Sequence, residues 1–433
     1  MVDRRAFLAA VAAVAPAPAF AASAVRRLAE AEKIAAGRPP LALADDEEYW
    51  GTIQRAFDLD RTMLNFNNGG CSPAPTHVLE QMIRDLRFSN ELPVVHMWGT
   101  LEPRLESVRR ELAADFGCDP EEMAITRNAS ESLETLIFGV DLQRGDEVIT
   151  TDFNYGRMND SWDQRVRRDG IVLKKVVHPM PATDAQIVEA FLGAITPRTR
   201  VIELTHISNL TGQIFPVRRL VDAVRERGIK VFVDGAHAYA HFPFSRDELG
   251  CDYYGTSLHK WLLAPVGTGF LSVRRDLIAD LWPLMGSNKG MVANVRKYEE
   301  IGTHPAANHN AIASALVFHR AIGAARKVAR LRWLRDRWIA ALQSLHPEVR
   351  ILTPLEEGRS GALALFMVDG IDQGKLADLL LREHRIVCTP IGVRGLHGIR
   401  VTPNIYSTPD ECDRFADVVA KVLRTERKAI ALS

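Results

Sequence analysis

Residues 231–270 read VFVDGAHAYAHFPFSRDELGCDYYGTSLHKWLLAPVGTGF, the most informative stretch of the chain. Its opening apolar run ends at Asp234, a pattern that predicts a buried strand with a carboxylate at its carboxyl end. In open α/β sheets, ligands bind at the carboxyl ends of the strands. Lys260 follows in an apolar, aromatic setting between His259 and Trp261. Partial desolvation there would lower the pKa of its amine and give the neutral nucleophile that Schiff-base chemistry needs.

Strands and helices alternate in the part of the chain before this stretch. Residues 145–153, 199–207 and 229–234 contain apolar runs of strand length. Residues 216–228, PVRRLVDAVRERG, begin with Pro, end with Gly and carry apolar residues on one face, which predicts a helix. Repeated units of this kind predict an α/β fold, with a mainly parallel central sheet and helices on both faces.

The overall composition favours a small-molecule partner. The 433 residues include 54 basic and 54 acidic side chains, so the formal net charge is zero. Neither nucleic acid nor an acidic membrane would attract such a chain through a global field, and we expect neither as a partner. The cysteines show no CxxC or metal-ligand spacing, so we predict neither a disulfide framework nor a metal site; they are Cys71, Cys118, Cys251, Cys388 and Cys412.

The N-terminus has the pattern of an export signal. Arg4 and Arg5, with Phe7 and Leu8, precede an alanine-rich run and the sequence AASA. A basic start, a short apolar region and small residues at the end are typical of a signal peptide, here over residues 1–24. The arginine pair resembles the twin-arginine signature, which predicts a periplasmic protein. The alternatives are an N-terminal anchor or a chance pair of arginines, although the run is too short for a membrane span.

The central stretch also carries a family pattern. A strand-end VDxAH followed by S-x-H-K is matched by Asp234, His237, Ser257, His259 and Lys260. In this the sequence resembles the class V aminotransferases, a family of fold-type I pyridoxal-phosphate enzymes, over residues 45–425. Within that family it is most similar to the isopenicillin N epimerase-like group.

The resemblance implies a role for each of the five residues. Lys260 would form the internal aldimine with pyridoxal 5'-phosphate, and Asp234 would pair with the ring nitrogen. A buried carboxylate there keeps that nitrogen protonated, which the ring needs to act as an electron sink. His237 would approach the phenolic oxygen, while Ser257 and His259 would bind the phosphate.

Two further segments resemble cofactor-binding parts of the family. Residues 126–134, TRNASESLE, are similar to its phosphate turn and imply contacts from Asn128, Ala129 and Ser130. A strand, a short turn and a helix start also form an anion site on physical grounds, because the first helical N–H groups are free. Residues 205–217, THISNLTGQIFPV, imply that Asn209 reaches the phenolic oxygen or the substrate carboxylate, with His206 a weaker candidate.

Three more segments imply the substrate site and the assembly. Residues 297–305 resemble the family's E-x-G-T loop, in which Thr303 would cross to the other subunit's phosphate, so we expect a homodimer with shared active sites. Residues 398–408 imply that Arg400 clamps the carboxylate of an amino acid substrate through its bidentate fork. The early NNGG, residues 67–70, matches a segment where the backbone approaches the substrate, and places Asn68 there.

Two departures from the family bear on the reaction. Phe153 occupies the position where the family usually stacks a histidine on the cofactor; Phe can stack but cannot donate a proton, and Tyr155 could compensate. Val393 stands where desulfurases keep a nucleophilic cysteine, and Cys388 lies five residues earlier. We therefore predict aminotransferase or epimerase-like chemistry at the α-carbon, with Lys260 as the proton shuttle.

Other outcomes stay open at this point. A lyase of the kynureninase or desulfurase type is the main alternative. A noncatalytic scaffold that kept the fold is a second one, which the joint presence of Lys260, Asp234 and Arg400 disfavours. The identity of the substrate side chain is not predicted.

The same patterns predict a division of the chain. In the last hundred residues the regular alternation of strands and helices gives way to short strands and two helices, which is typical of a small α+β domain. The expected segments are a signal peptide (1–24), a linker with a short helical stretch (25–45), an N-terminal segment that joins the small domain (46–85), a large cofactor-binding domain (86–330) and the small C-terminal domain (331–433).

Overall fold

A computed structural model describes residues 19–432 of the chain. Arg4 and Arg5 lie outside these residues, so export by the twin-arginine route stays a prediction from the sequence. Within residues 19–432, no helix is long and apolar enough to cross a membrane.

The strands are, in chain order, β1 (Leu64–Asn65), β2 (Met123–Thr126), β3 (Glu147–Thr151), β4 (Val172–Val176), β5 (Thr199–Thr205), β6 (Lys230–Asp234), β7 (Tyr253–Ser257), β8 (Gly269–Val273), β9 (Arg350–Ile351), β10 (Ala364–Met367), β11 (Ile386–Val387), β12 (Thr389–Val393) and β13 (Leu396–Val401). The helices of eight residues or more are α1 (Ala19–Ala35), α2 (Glu47–Gln54), α3 (Thr76–Glu91), α4 (Glu102–Phe116), α5 (Ala129–Gly139), α6 (Gly156–Asp169), α7 (Asp184–Gly193), α8 (Val217–Val224), α9 (Ile312–Ile322), α10 (Ala324–Leu345), α11 (Gln373–His384) and α12 (Pro409–Thr425).

The central sheet has seven strands in the order β2-β8-β7-β6-β5-β3-β4. The five strands from β7 to β4 are parallel to one another, and β8 is antiparallel to both of its neighbours. Alternate residues of β6 enter opposite cores: Val231 and Val233 pack in one, and Phe232 in the other. Helices therefore cover both faces, and the predicted α/β fold with a mainly parallel sheet is confirmed.

A second, antiparallel sheet has the order β12-β13-β10-β9 and packs against α10, α11 and α12 around its own apolar core. This is the α+β unit that the sequence pattern predicts at the C-terminus. Strand β1 pairs in parallel with β11, which attaches the early part of the chain to this unit. Tyr49 and Trp50 of α2, by contrast, pack in the core of the large sheet.

Residues 25–45 contain a helix, as the sequence predicts, but they are packed more closely against the large core than a linker would be. Helix α1 covers the first part of this segment, and it buries Leu28, Ala31 and Ala35 in the large core. These side chains recur at spacings of three and four, which places them on one face of the helix. The segment is thus part of the packed body of the protein.

Candidate active site

Asp234 is the last residue of β6, the middle strand of the sheet. Its register neighbours are Thr205 at the end of β5 and Gly255 in β7. One carboxylate oxygen accepts a 2.9 Å hydrogen bond from the backbone N–H of Ala236. The other oxygen accepts no hydrogen bond from any residue within the described range. Burial raises the pKa of this carboxyl group, so an ionised Asp234 needs a cationic or N–H partner.

Lys260 follows β7 closely and reaches the same end of the sheet. Its Nζ lies 2.9 Å from Nε2 of His237. Burial lowers the pKa of the lysine to about 8; the charge of Asp234 opposes this shift and that of Arg400 adds to it. Burial also holds the pKa of His237 well below its ordinary value, so the histidine is neutral. The site thus contains an amine that is partly unprotonated near neutral pH.

The start of α5 forms a polar pocket at the same edge. Asn128 is the helix N-cap, and its side-chain oxygen accepts from the backbone N–H of Glu131 at 2.9 Å. The N–H of Ala129 donates to Oγ of Ser257, also at 2.9 Å. Ser130, next in the helix, is half-buried. The structure therefore brings these predicted phosphate contacts together at a helix N-terminus, where an anion is favoured.

Two other predicted phosphate contacts have different surroundings. His259 places Nδ1 3.2 Å from the carbonyl oxygen of Thr268, and burial lowers its pKa to about 4. Thr303 is exposed and makes no hydrogen bond to the rest of the site in the part of the chain described here. Its loop is anchored by Glu299, whose carboxylate pairs with the buried Arg109.

Arg400 approaches the site from the small sheet, where it pairs in register with Leu365. Its guanidinium donates to the carbonyl oxygen of Asn209 at 2.9 Å, to Oδ1 of Asn67 at 2.8 Å and to Oγ1 of Thr389 at 3.1 Å. Nε has no partner. Burial lowers its pKa to about 10, and no carboxylate in residues 19–432 pairs with it. A buried cation of this kind is completed by a carboxylate ligand.

The NNGG segment contributes through a different asparagine from the one predicted. Asn68 is fully buried. Its side-chain NH2 donates to the carbonyl oxygens of Asn65 and Thr402, and its Oδ1 accepts from the hydroxyl of Tyr406. It therefore holds the segment in place and does not face a substrate. Asn67, which the sequence analysis did not single out, orients Arg400 instead. Neighbouring asparagines in one motif give no signal that would have separated them.

Gly69 lies between the lysine side of the site, which carries Lys260 and His237, and the arginine side, which carries Arg400. A Cβ added to it would lie 3.2 Å from Oγ1 of Thr402, 3.3 Å from Cε1 of His237 and 3.5 Å from Cζ of Arg400. The lysine side and the arginine side of the site thus meet across this glycine. Any side chain there would occupy space between them.

Phe153 is 6% exposed and packs into a small apolar cluster that joins the two sheets. Its neighbours in that cluster are Leu210, Leu365, Ile391 and Leu396. The preceding Asp152 forms an ion pair of 2.6 Å with Arg394, at the tip of the hairpin between β12 and β13. Tyr155 is half exposed and makes no side-chain contact with Lys260 or Arg400 among the described hydrogen bonds. The ring of Phe153 is thus held by packing from both domains.

His206, the weaker candidate, belongs to the core. Its ring is fully buried and packs edge-to-face against Phe242 and Phe244. Nδ1 lies 3.3 Å from the hydroxyl of Tyr254. These contacts give it a packing role.

Comparisons with known proteins agree with this geometry. Residues 64–415 match the family described as "Aminotransferase class-V". Isopenicillin N epimerase of Amycolatopsis lactamdurans is 30% identical over 398 residues, which cover 86% of this chain and 98% of that protein. Probable cysteine desulfurase 2 of Mycobacterium leprae is 26% identical over 414 residues, 89% of this chain and 97% of the relative.

Solved structures share the fold. The cystine C-S lyase C-DES, in complex with cysteine persulfide, superposes with a TM-score of 0.74 at 22% identity, covering 83% of this chain and 98% of the lyase. The fold is thus that of fold-type I enzymes. The chain belongs to the class V aminotransferase family, whose cofactor is pyridoxal 5'-phosphate.

Proposed function

We propose that the protein acts at the α-carbon of an amino acid, as an aminotransferase or an epimerase-like enzyme. The observation that carries this proposal is Arg400, a buried cation without a carboxylate partner in the described chain, placed across Gly69 from the lysine side of the site. An α-amino acid has a carboxylate that this cation would bind and an amino group that would face the lysine side. When bound, the cofactor supplies an electron sink for negative charge at the α-carbon.

Each residue of the site has a task that fits this reaction. Asp234 keeps the proton on the ring nitrogen through its free carboxylate oxygen. Ser257 and Ser130, at the N-terminus of α5, bind the phosphate. Lys260 binds the cofactor and then carries the proton to or from the α-carbon. Asn67 and Thr389 orient Arg400 toward the substrate carboxylate.

The hairpin beside Arg400 argues against a desulfurase. Val393 pairs with Leu396 across a two-residue turn, in which Arg394 and Gly395 have φ angles of +43° and +81°. This tight turn carries no thiol, and its tip is held by the pair with Asp152. Burial raises the pKa of the nearby Cys388 to about 12, so this thiol is a poor nucleophile at neutral pH.

Half-reaction spectra test the proposal. The protein loaded with pyridoxal phosphate should absorb visible light, and its spectrum should change with members of a panel of L- and D-amino acids. Product analysis then separates the reactions: transamination gives the 2-oxo acid, epimerisation gives the other enantiomer, and a lyase releases part of the side chain. A protein that stays colourless with added cofactor would support the scaffold alternative and contradict the proposal.

We also propose a homodimer in which Thr303 reaches the partner's phosphate site. Exposed Leu284 and Met285 share a surface pocket with Arg127, which adjoins the phosphate turn, and with Ile301 of the Thr303 loop. Apolar side chains exposed beside an active site are typical of a subunit interface. Light scattering of the loaded protein should give twice the chain mass; an active monomer would contradict this arrangement.

Gly69→Ala is expected to weaken amino acid binding by at least about tenfold. The new methyl group would crowd Thr402 and His237 and lie in contact with Arg400, so the space for a substrate would shrink. Spectral titration of the loaded protein with L-alanine measures the effect. Gly70→Ala is the matched control, because its Cβ would meet nothing closer than 3.4 Å. Equal affinities for Gly69→Ala and wild type would show that the substrate does not bind at this place.

A further inference from the structure

His241 is a fully buried histidine with both ring nitrogens in use. The backbone N–H of Ala362 donates to its Nε2 at 2.7 Å. Nε2 therefore carries the lone pair, and Nδ1 carries the hydrogen that is donated to the carbonyl oxygen of His237 at 2.8 Å. Burial lowers the pKa of His241 to about 3, in agreement with this neutral tautomer.

The bond to His237 leads to the lysine side of the site. His237, which accepts from His241 through its backbone, lies 2.9 Å from the amine of Lys260 through its ring. The His241 ring also stacks on Trp261, with centroids 3.6 Å apart and planes inclined by 13°. Trp261 follows Lys260 directly in the chain. His241 therefore contacts both the residue after the lysine in the sequence and the histidine that lies against its amine.

The bond to Ala362 leads to the arginine side. Ala362 lies just before β10, and Leu365 of β10 pairs in register with Arg400. The approach of the two domains is close here, since a Cβ on Gly361 would lie 2.3 Å from the His241 ring. The imidazole thus fills the contact between the strand that supports Arg400 and the turn that carries His237.

We propose that His241 is a positioning residue that sets the separation between Lys260 and Arg400. This separation fixes where the α-carbon of a substrate lies when its carboxylate is bound by the arginine. The inference rests on the proposed function, because it assigns the two ends of the substrate to these two residues. Loss of the bond to Ala362 would then affect ligands that carry a carboxylate more than ligands that carry only an amine.

Two variants separate the two bonds of His241. In His241→Gln the amide reaches the place of Nε2, where its oxygen can still accept from Ala362. In His241→Asn the amide reaches only the place of Nδ1, so the bond to His237 can form and the bond to Ala362 is lost. Both variants lose the aromatic stacking on Trp261, which makes each a control for packing in the other.

The probes are glycine and methylamine, titrated against the protein loaded with pyridoxal phosphate and followed by visible absorbance. We expect His241→Asn to bind glycine at least about tenfold more weakly than wild type, with methylamine affinity within about twofold. His241→Gln should stay within about threefold of wild type for both probes. His346→Asn, at a buried histidine at the end of α10, should change neither affinity.

A second measurement needs no cofactor. Hydrogen exchange over residues 358–366 of the unloaded protein should be faster in His241→Asn than in wild type and near wild type in His241→Gln. If Asn and Gln lower both affinities equally, His241 serves packing alone and the inference is wrong. A wild-type protein whose spectrum does not change with any amino acid of the panel would contradict the proposed function, whereas the exchange result tests the hydrogen bond between His241 and Ala362 independently.

Discussion

Lys260→Ala is expected to abolish turnover, with a loss on the order of 10⁴-fold or more, and to leave the cofactor bound without a covalent bond. The lysine is both the group that binds the cofactor covalently and the proton carrier, and no other described amine approaches His237. Asp234 and the pocket formed by Ser257 and Ala129 remain to hold the ring and the phosphate. Borohydride reduction followed by peptide mass analysis measures the covalent bond, and dialysis measures retention.

The control for this variant is Lys174→Ala, which removes a half-buried lysine on the edge strand β4, where it pairs with Glu147. It should retain wild-type trapping at Lys260. The lysine pKa of about 8 also predicts a pH dependence for the wild-type protein. The neutral fraction of the amine rises from about a tenth at pH 7 to about a half at pH 8. Capture of the cofactor by the unloaded protein should accelerate over this interval. Cofactor trapped by borohydride in Lys260→Ala would refute the assignment.

The sequence predicted the large sheet well because its signals are local. An apolar run that ends at Asp234 and a helix bounded by Pro216 and Gly228 are recognisable within a few residues. Since parallel strands bring their carboxyl ends to one edge, the order of elements also placed Asp234 and Lys260 in one region. Local periodicity and this rule of topology were enough for Asp234 at the end of its strand, whereas the roles of Lys260 and His237 were implied by the family resemblance.

The same local patterns could not predict contacts between segments that are far apart in the sequence. The hydrogen bond between His241 and Ala362 joins residues 121 positions apart, and the one between Arg400 and Asn67 joins residues 333 positions apart. Neither pair has a pattern that is visible within either segment alone. The burial of Ala31 and Ala35 in α1 was missed for another reason: alanines give a weak apolar signal, so the segment was interpreted as a linker.

Asp234→Asn is expected to lower the rate by about 10²-fold or more, while cofactor affinity changes by less than about tenfold. The carboxylate acts where charge develops, on the protonated ring nitrogen, whereas the phosphate pocket and Lys260 supply most of the binding. The amide has the same shape and removes only the charge. Rates of α-deuterium exchange, compared with cofactor retention after gel filtration, measure the two effects separately.

Glu203 offers a matched control, because it is a second buried carboxyl group near Asp234. It lies on β5 two residues before Thr205, the register partner of Asp234, and it accepts a 2.5 Å hydrogen bond from the indole N–H of Trp162. Burial raises its pKa to about 8, so at pH 7 it is mostly neutral and cannot replace the charge of Asp234. Glu203→Gln should therefore keep most of the rate at pH 7. If it instead costs as much as Asp234→Asn, or if Asp234→Asn costs less than about tenfold, the negative charge that serves the ring nitrogen is not the one on Asp234.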